Sequence, residues 1–180
     1  MCEEFKSSMK MEFDMIDLGK MKYFLGIEVV QSNAGIFICQ IRYAREILAR
    51  LNMTESNYVR NPIVPGTILS REEERTPVDA TKFKQVIGSL MYLIVTQPDL
   101  MYGVSLISRY MANPKESHWV AVKRILRYLK WTIEYGIFYQ QEGKTGLTAY
   151  SDNNYAGDLD DRRSTYGSVF LIGTRAVSWA

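Results

Sequence analysis

The sequence predicts an α+β chain in three successive parts: an N-terminal helix and β-hairpin, a helical centre, and a small C-terminal antiparallel sheet. Three features of the sequence lead there. Residues 21–40 hold two runs rich in aromatic and β-branched residues around Ser32-Asn33-Ala34-Gly35, a connector with the small residues a tight turn needs. Between 80 and 131 the apolar residues recur at three- and four-residue spacing, with prolines punctuating the pattern. Beyond Gly136 they come in short runs parted by polar stretches.

Phe5, Met9 and Phe13 sit at helical spacing among Glu and Lys, which predicts a short amphipathic helix over 3–13 with Asp17-Leu18-Gly19 ending it. Residues 21–31 and 36–40 are the hairpin strands. Ile41, Ala44, Ile47, Leu48 and Leu51 then form one stripe of a second helix. Residues 52–79 are polar, carry Pro62, Pro65 and Pro77, and include the run Arg71-Glu72-Glu73-Glu74-Arg75. They read as a long connector whose charge run is solvated surface. A helix over 80–95 stops before Pro98, which cannot continue it, and another spans 99–111. The next starts at Asn113-Pro114-Lys115-Glu116, with Asn as N-cap, Pro first in the helix and Glu in the manner of a capping box, and runs to about 131. Residues 136–140, 147–151, 166–172 and 177–179 are short strands, with Gly173-Thr174 as a hairpin tip.

A chain of 180 residues has room for one ordinary domain or two small ones. Its 47% hydrophobic and 23% charged content suits a soluble globular protein, and a net charge of +2 is too mild to mark a nucleic-acid binder by itself. Cys2 and Cys39 make no disulfide framework and no C-x-x-C pair, so a reducing intracellular setting, cytoplasmic or nuclear, is expected. The single histidine, His118, leaves no zinc cluster to build. The charged start lacks the apolar stretch of a signal peptide, and no run reaches the length of a membrane span. Neither a membrane nor a small-molecule substrate is expected as a partner.

Charge is concentrated in one place. From 109 to 130 there are six basic residues (Arg109, Lys115, Lys123, Arg124, Arg127, Lys130) and one acidic residue, Glu116. Trp119, Val122, Ile125 or Leu126, and Leu129 form the apolar stripe, while Lys123, Arg127 and Lys130 fall on another face beside Arg124. Such a helix suits a phosphate backbone, because each neutralised phosphate releases counterions. The plainer reading is a solvated Lys/Arg face, and spacing alone favours it. Arg124-Ile125-Leu126-Arg127 also spells R-x-L-R, the string of secreted pathogen effectors, but mid-helix and without a signal peptide.

Several blocks in order resemble the Pol polyprotein of copia-type LTR retrotransposons. Residues 15–29, Met-Ile-Asp-Leu-Gly-Lys-Met-Lys-Tyr-Phe-Leu-Gly-Ile-Glu-Val, are similar to the end of that family's reverse-transcriptase palm. Residues 86–93 and 96–100, then 121–130, resemble its thumb and connection region. Tyr150-Ser151-Asp152, residues 161–165 and Ser178-Trp179 resemble the first strands of its ribonuclease H. The resemblance implies four parts: residues 1–53 as the end of the palm with the primer-grip hairpin and first thumb helix, 54–79 as a linker, 80–140 as a thumb/connection-like helical region, and 141–180 as an incomplete ribonuclease H-like domain.

Roles follow from the same resemblance. Tyr23 and Gly26 lie in the hairpin that would hold a primer end, a task suited to rigid strands. Lys123, Arg124, Arg127 and Lys130 would contact the backbone of an RNA–DNA or DNA duplex. Asp152 matches the first carboxylate of ribonuclease H, which helps hold two Mg²⁺ ions in the intact parent enzyme; read without the family, it caps a turn. No Tyr-x-Asp-Asp string occurs in the chain, Leu159-Asp160-Asp161 is no substitute, and Asn154 stands where the family has a second Asp. The expectation is a piece that starts after one active site and ends inside the other. It would be inactive alone, need no cofactor itself, and have duplex backbone and the rest of the polyprotein as partners.

Overall fold

The computed structural model describes every residue except 1, 17, 68, 72–75, 142, 144, 155, 156, 159 and 161, and leaves aside the side chains of Cys2 and Asn154. Asp17, most of the Arg71–Arg75 charge run, and parts of the 155–161 turn thus lie outside the described residues. The element order is α1 (Cys2–Glu12), β1 (Tyr23–Phe24), β2 (Ile27–Ser32), β3 (Gly35–Cys39), α2 (Ile41–Arg50), α3 (Ala80–Leu93), a 3-10 turn (Pro98–Leu100), α4 (Met101–Ser108), α5 (Glu116–Trp131), β4 (Gly136–Gln140), β5 (Leu147–Asn154), β6 (Thr165–Ile172) and β7 (Arg175–Trp179). The chain is mixed helix and antiparallel sheet, as the sequence predicts.

The core lies among α2–α5. Ile47, Phe83, Ile87, Leu90, Val122, Ile125 and Leu129 are fully buried there. Each falls on the apolar stripe of its helix, so burial follows from helical period. Asp79 starts α3 by accepting the Thr81 N–H at 2.8 Å and the Lys82 N–H at 3.2 Å, a side-chain cap worth about 1 kcal/mol. The connector is no loose tether. Leu69 is buried in the core, and Tyr110 donates to its carbonyl at 3.0 Å.

The hairpin belongs to a four-stranded antiparallel sheet of order β1-β2-β3-β4. Residues 136–140, expected as a strand at the end of the helical region, pair along β3, with Phe37 opposite both Val30 and Phe138. Gly35 makes this approach possible. A Cβ there would sit 2.2 Å from the Tyr139 carbonyl oxygen, and its φ of 151° is one that side chains avoid. The long first strand is also broken: Leu25 (φ 46°) and Gly26 (φ 83°) turn the chain between β1 and β2.

Three helix boundaries differ from expectation. α1 ends at Glu12, and residues 99–111 divide into the 3-10 turn and α4. α5 begins at Glu116, so Asn113 is not its N-cap and Pro114 is not its first residue. The physical reason is a bridge from the connector. Val78 N–H donates to the Pro114 carbonyl at 3.0 Å and Glu116 N–H to that of Thr76 at 3.1 Å, holding 114–116 extended. The cap is supplied instead by His118, whose Nδ1 accepts the Lys115 N–H at 2.9 Å.

The second sheet, β5-β6-β7, is antiparallel, with Gly173-Thr174 as the predicted tip. Phe170 and Ile172 remain 37% and 38% exposed. Trp179 is half-buried, and its indole N–H donates to the Ile94 carbonyl at 2.9 Å and fixes β7 to the end of α3.

Candidate nucleic-acid interface

Most of the charge on the basic helix α5 is engaged within the fold. Arg127 Nε donates to the Asn57 carbonyl at 2.6 Å, Lys130 Nζ to the Ser56 carbonyl at 2.8 Å, and the Arg124 guanidinium to Asn61 Oδ1. The Val59 N–H returns a bond to the Arg127 carbonyl at 3.4 Å. Three of the four cations therefore fasten residues 56–61 along α5, while Lys123 is exposed. Arg109, also part of the basic excess, turns to the C-terminal sheet: it pairs with the buried Asp158 at 2.7 Å and donates to Thr165 Oγ1 at 2.9 Å.

The hairpin residues divide. Gly26 is held inward, since a Cβ there would meet the Tyr92 ring at 3.3 Å and the Tyr92 hydroxyl donates to the Leu25 carbonyl. Tyr23 is 55% exposed, with the Arg42 guanidinium 5.9 Å from its ring centroid, a weak cation–π contact. Glu28 orients this corner by accepting the Arg42 N–H at 2.8 Å and facing its Nε at 3.5 Å.

That corner exposes residues the sequence reading passed over. Arg42, Arg45 and Arg50 lie on the solvent side of α2, opposite the buried Ala44, Ile47 and Leu48. Arg50 donates to Ser89 Oγ of α3 at 2.7 Å. The signal was present: three arginines in ten residues against one acid, Glu46, spaced so that Arg42 and Arg45 share a face. Tyr23 and Arg42 touch, Arg45 lies one turn along α2, and Glu28 and Glu46 share the corner, so two guanidinium groups and one ring are exposed there in a surface of mixed charge that can meet a phosphate backbone without base readout.

Asp152 stands elsewhere, on β5 opposite Gly167, exposed, with its Oδ1 accepting the Asn153 N–H at 2.8 Å. Among the described residues no three His, Cys, Asp or Glu side chains gather as a metal site. A single carboxylate does not hold two Mg²⁺ ions, so the donor set described here does not fit that pair. Other titratable groups are structural. Burial, then the charges of Asp158 and Asp160, push Tyr110 up to about 12. Tyr128 is raised by burial and by its hydrogen bond with Asp99. Burial raises the Cys39 thiol, which disfavours the reactive thiolate.

The family described as "Reverse transcriptase (RNA-dependent DNA polymerase)" matches residues 1–65. Over 173 residues, 96% of the chain, it is 38% identical to the retrovirus-related Pol polyprotein from transposon RE2 of Arabidopsis thaliana. The chain belongs to the copia-type retrotransposon Pol family. It spans 12% of that relative's length. An uncharacterized mitochondrial protein of Arabidopsis thaliana is 33% identical over 93% of this chain and 70% of its own length. A secreted RxLR effector protein of Plasmopara viticola is 42% identical over 54% of this chain and 69% of its own. No solved structure matches. The reverse-transcriptase match takes in the hairpin, α2 and the start of the connector, and so covers the whole Tyr23–Arg42–Arg45 corner of this Pol-family chain.

Proposed function

We propose that this chain is the primer-grip, thumb and connection portion of a retrotransposon reverse transcriptase joined to the first strands of its ribonuclease H. Its own work is to hold an RNA–DNA or DNA duplex by the backbone, while the polymerase and ribonuclease H chemistries need carboxylates this sequence does not carry. The observation behind the binding role is the exposed Tyr23–Arg42 contact, with exposed Arg45 one turn further along α2. In the parent enzyme Asp152 would be one ligand of the Mg²⁺ pair that activates water for RNA cleavage.

The test is binding of a fluorescent RNA–DNA duplex as salt is varied. Replacing Arg42 and Arg45 by Glu is expected to weaken binding at least tenfold and lower the log–log salt slope by about two, because each lost phosphate contact contributes about one. A Lys123, Arg127 and Lys130 triple Glu variant is expected to lose stability as well as affinity, since two of those residues hold the connector. Unchanged affinity in the Arg42/Arg45 variant would remove the proposal. Primer extension or RNA cleavage with Mg²⁺ by the purified chain would refute the non-catalytic part.

The RxLR-effector relative raises a second reading in which Arg124-Ile125-Leu126-Arg127 acts as a translocation string. Leu126 is buried in the core and both arginines are bonded to the connector. Here the string is explained as α5 packing, and we favour the duplex-holding role.

A further inference from the structure

Between α5 and the connector runs a cleft of about 480 Å³, a volume in the range of small-ligand sites. Its walls are aliphatic or thioether, with Met53, Ile63 and Leu69 facing Val120 and Ala121, and no aromatic ring among its lining residues. Five polar residues complete its described lining: Thr67, Ser117, Lys123, Arg124 and Arg127. None is acidic. Two polar atoms of that set, Ser117 Oγ and Arg124 Nε, are buried without a hydrogen-bond partner. Buried polar groups are normally paired, and both residues line the cleft. The two residues are seven apart on one helix face, about 10 Å along the axis. The cleft therefore has a cationic end, an aliphatic middle and a hydroxyl end.

We infer that this cleft binds an aliphatic carboxylate of about ten carbons bearing a distal hydroxyl. The carboxylate lies at Arg124 and Arg127, the chain along Val120 and Ala121, and the hydroxyl at Ser117. The head group is an anion because the described lining residues hold three cations and no acid, and charge-assisted bonds to guanidinium are the strong kind. The body is aliphatic because nucleobases dock on aromatic faces, and none of the described lining residues is aromatic. Arg124 is already positioned by its bond to Asn61 Oδ1, so little ordering is needed on binding.

Calorimetric titration of the full chain with 10-hydroxydecanoate, decanoate, decanol and adenosine monophosphate tests this. One hydroxy-acid site per chain is expected, with decanol at least tenfold weaker. Arg124→Gln should lower acid affinity about tenfold, and Ser117→Ala should erase the advantage of 10-hydroxydecanoate over decanoate. Val120→Trp fills the cleft from a position 55% exposed, so it should abolish binding while the circular dichroism stays unchanged. Three results would each overturn the assignment: no saturable heat at millimolar acid, binding that survives Val120→Trp, or tighter binding of adenosine monophosphate than of either acid.

Discussion

Tyr110 shows how much one side chain can be asked to do. It is buried, donates its hydroxyl proton to the Leu69 carbonyl, and stacks on His118 with ring centroids 3.9 Å apart. Burial and the nearby carboxylates of Asp158 and Asp160 hold that proton, raising the folded value to about 12 against an ordinary value of 10. A group raised on folding contributes stability that is complete below its unfolded value and lost as pH rises through its folded value. The free energy of unfolding should therefore fall between pH 10 and pH 12, by as much as about 3 kcal/mol from this residue. Tyr110→Phe should flatten that part of the curve in denaturant titrations. Tyr128, raised in the same direction, leaves some slope. A variant curve superimposable on the parent's would show that this hydroxyl is not buried in solution. None of this was legible in the sequence, where Tyr110 is one aromatic at the end of a helical stripe. The carbonyl it serves lies 41 residues away.

At the scale of elements, local signals survived and long-range ones did not. The hairpin tip at 33–34, the apolar stripe of α2 and the strand at 136–140 were readable because period and turn chemistry reside in neighbouring residues. That β4 would lie on β3, about a hundred residues earlier, leaves no mark in either run. The start of α5 was misplaced for a related reason: Asn113-Pro114 is a sound start signal, overridden by the bridge to residues 76–78. The α5 charges were likewise legible and their partners on the connector were not. Glycine offers a direct test of these pairings. Gly35→Ala should cost about 3 kcal/mol or more, because its Cβ meets β4 backbone that can move only by leaving the sheet. Amide exchange at 136–140 should quicken first. Gly88→Ala, mid-α3 with open space around it, should stabilise by about 1 kcal/mol through helix propensity alone. Equal effects from the two would mean that β4 is not seated on β3.

Across the whole molecule, the question is whether the C-terminal sheet is an appendage or part of one body. A three-stranded sheet needs something to pack against, and several of its apolar side chains, Leu147, Phe170, Ile172 and Val177 among them, stay at the surface. Three polar ties hold the sheet to the rest of the chain. Trp179 bonds the end of α3, Arg109 at the end of α4 grips Asp158 and Thr165, and Asp160 accepts from Ser70 Oγ at 2.8 Å and from the Arg71 N–H at 3.0 Å. Arg109 is the tie with most at stake, because the Asp158 side chain is only 3% exposed and a buried carboxylate deprived of its cation typically costs about 3–5 kcal/mol. Arg109→Met should therefore loosen the sheet while sparing the core, since its own aliphatic stem is replaced. The expected pattern is amide exchange at least tenfold faster along β5–β7, with α3 and α5 unchanged. Unaltered exchange in β6 would mean that the tryptophan and Asp160 ties hold the sheet without help. Uniform acceleration through α3 and α5 would mean that sheet and core unfold together, so that the Asp152 strand could not loosen without the surface formed by Tyr23, Arg42 and Arg45.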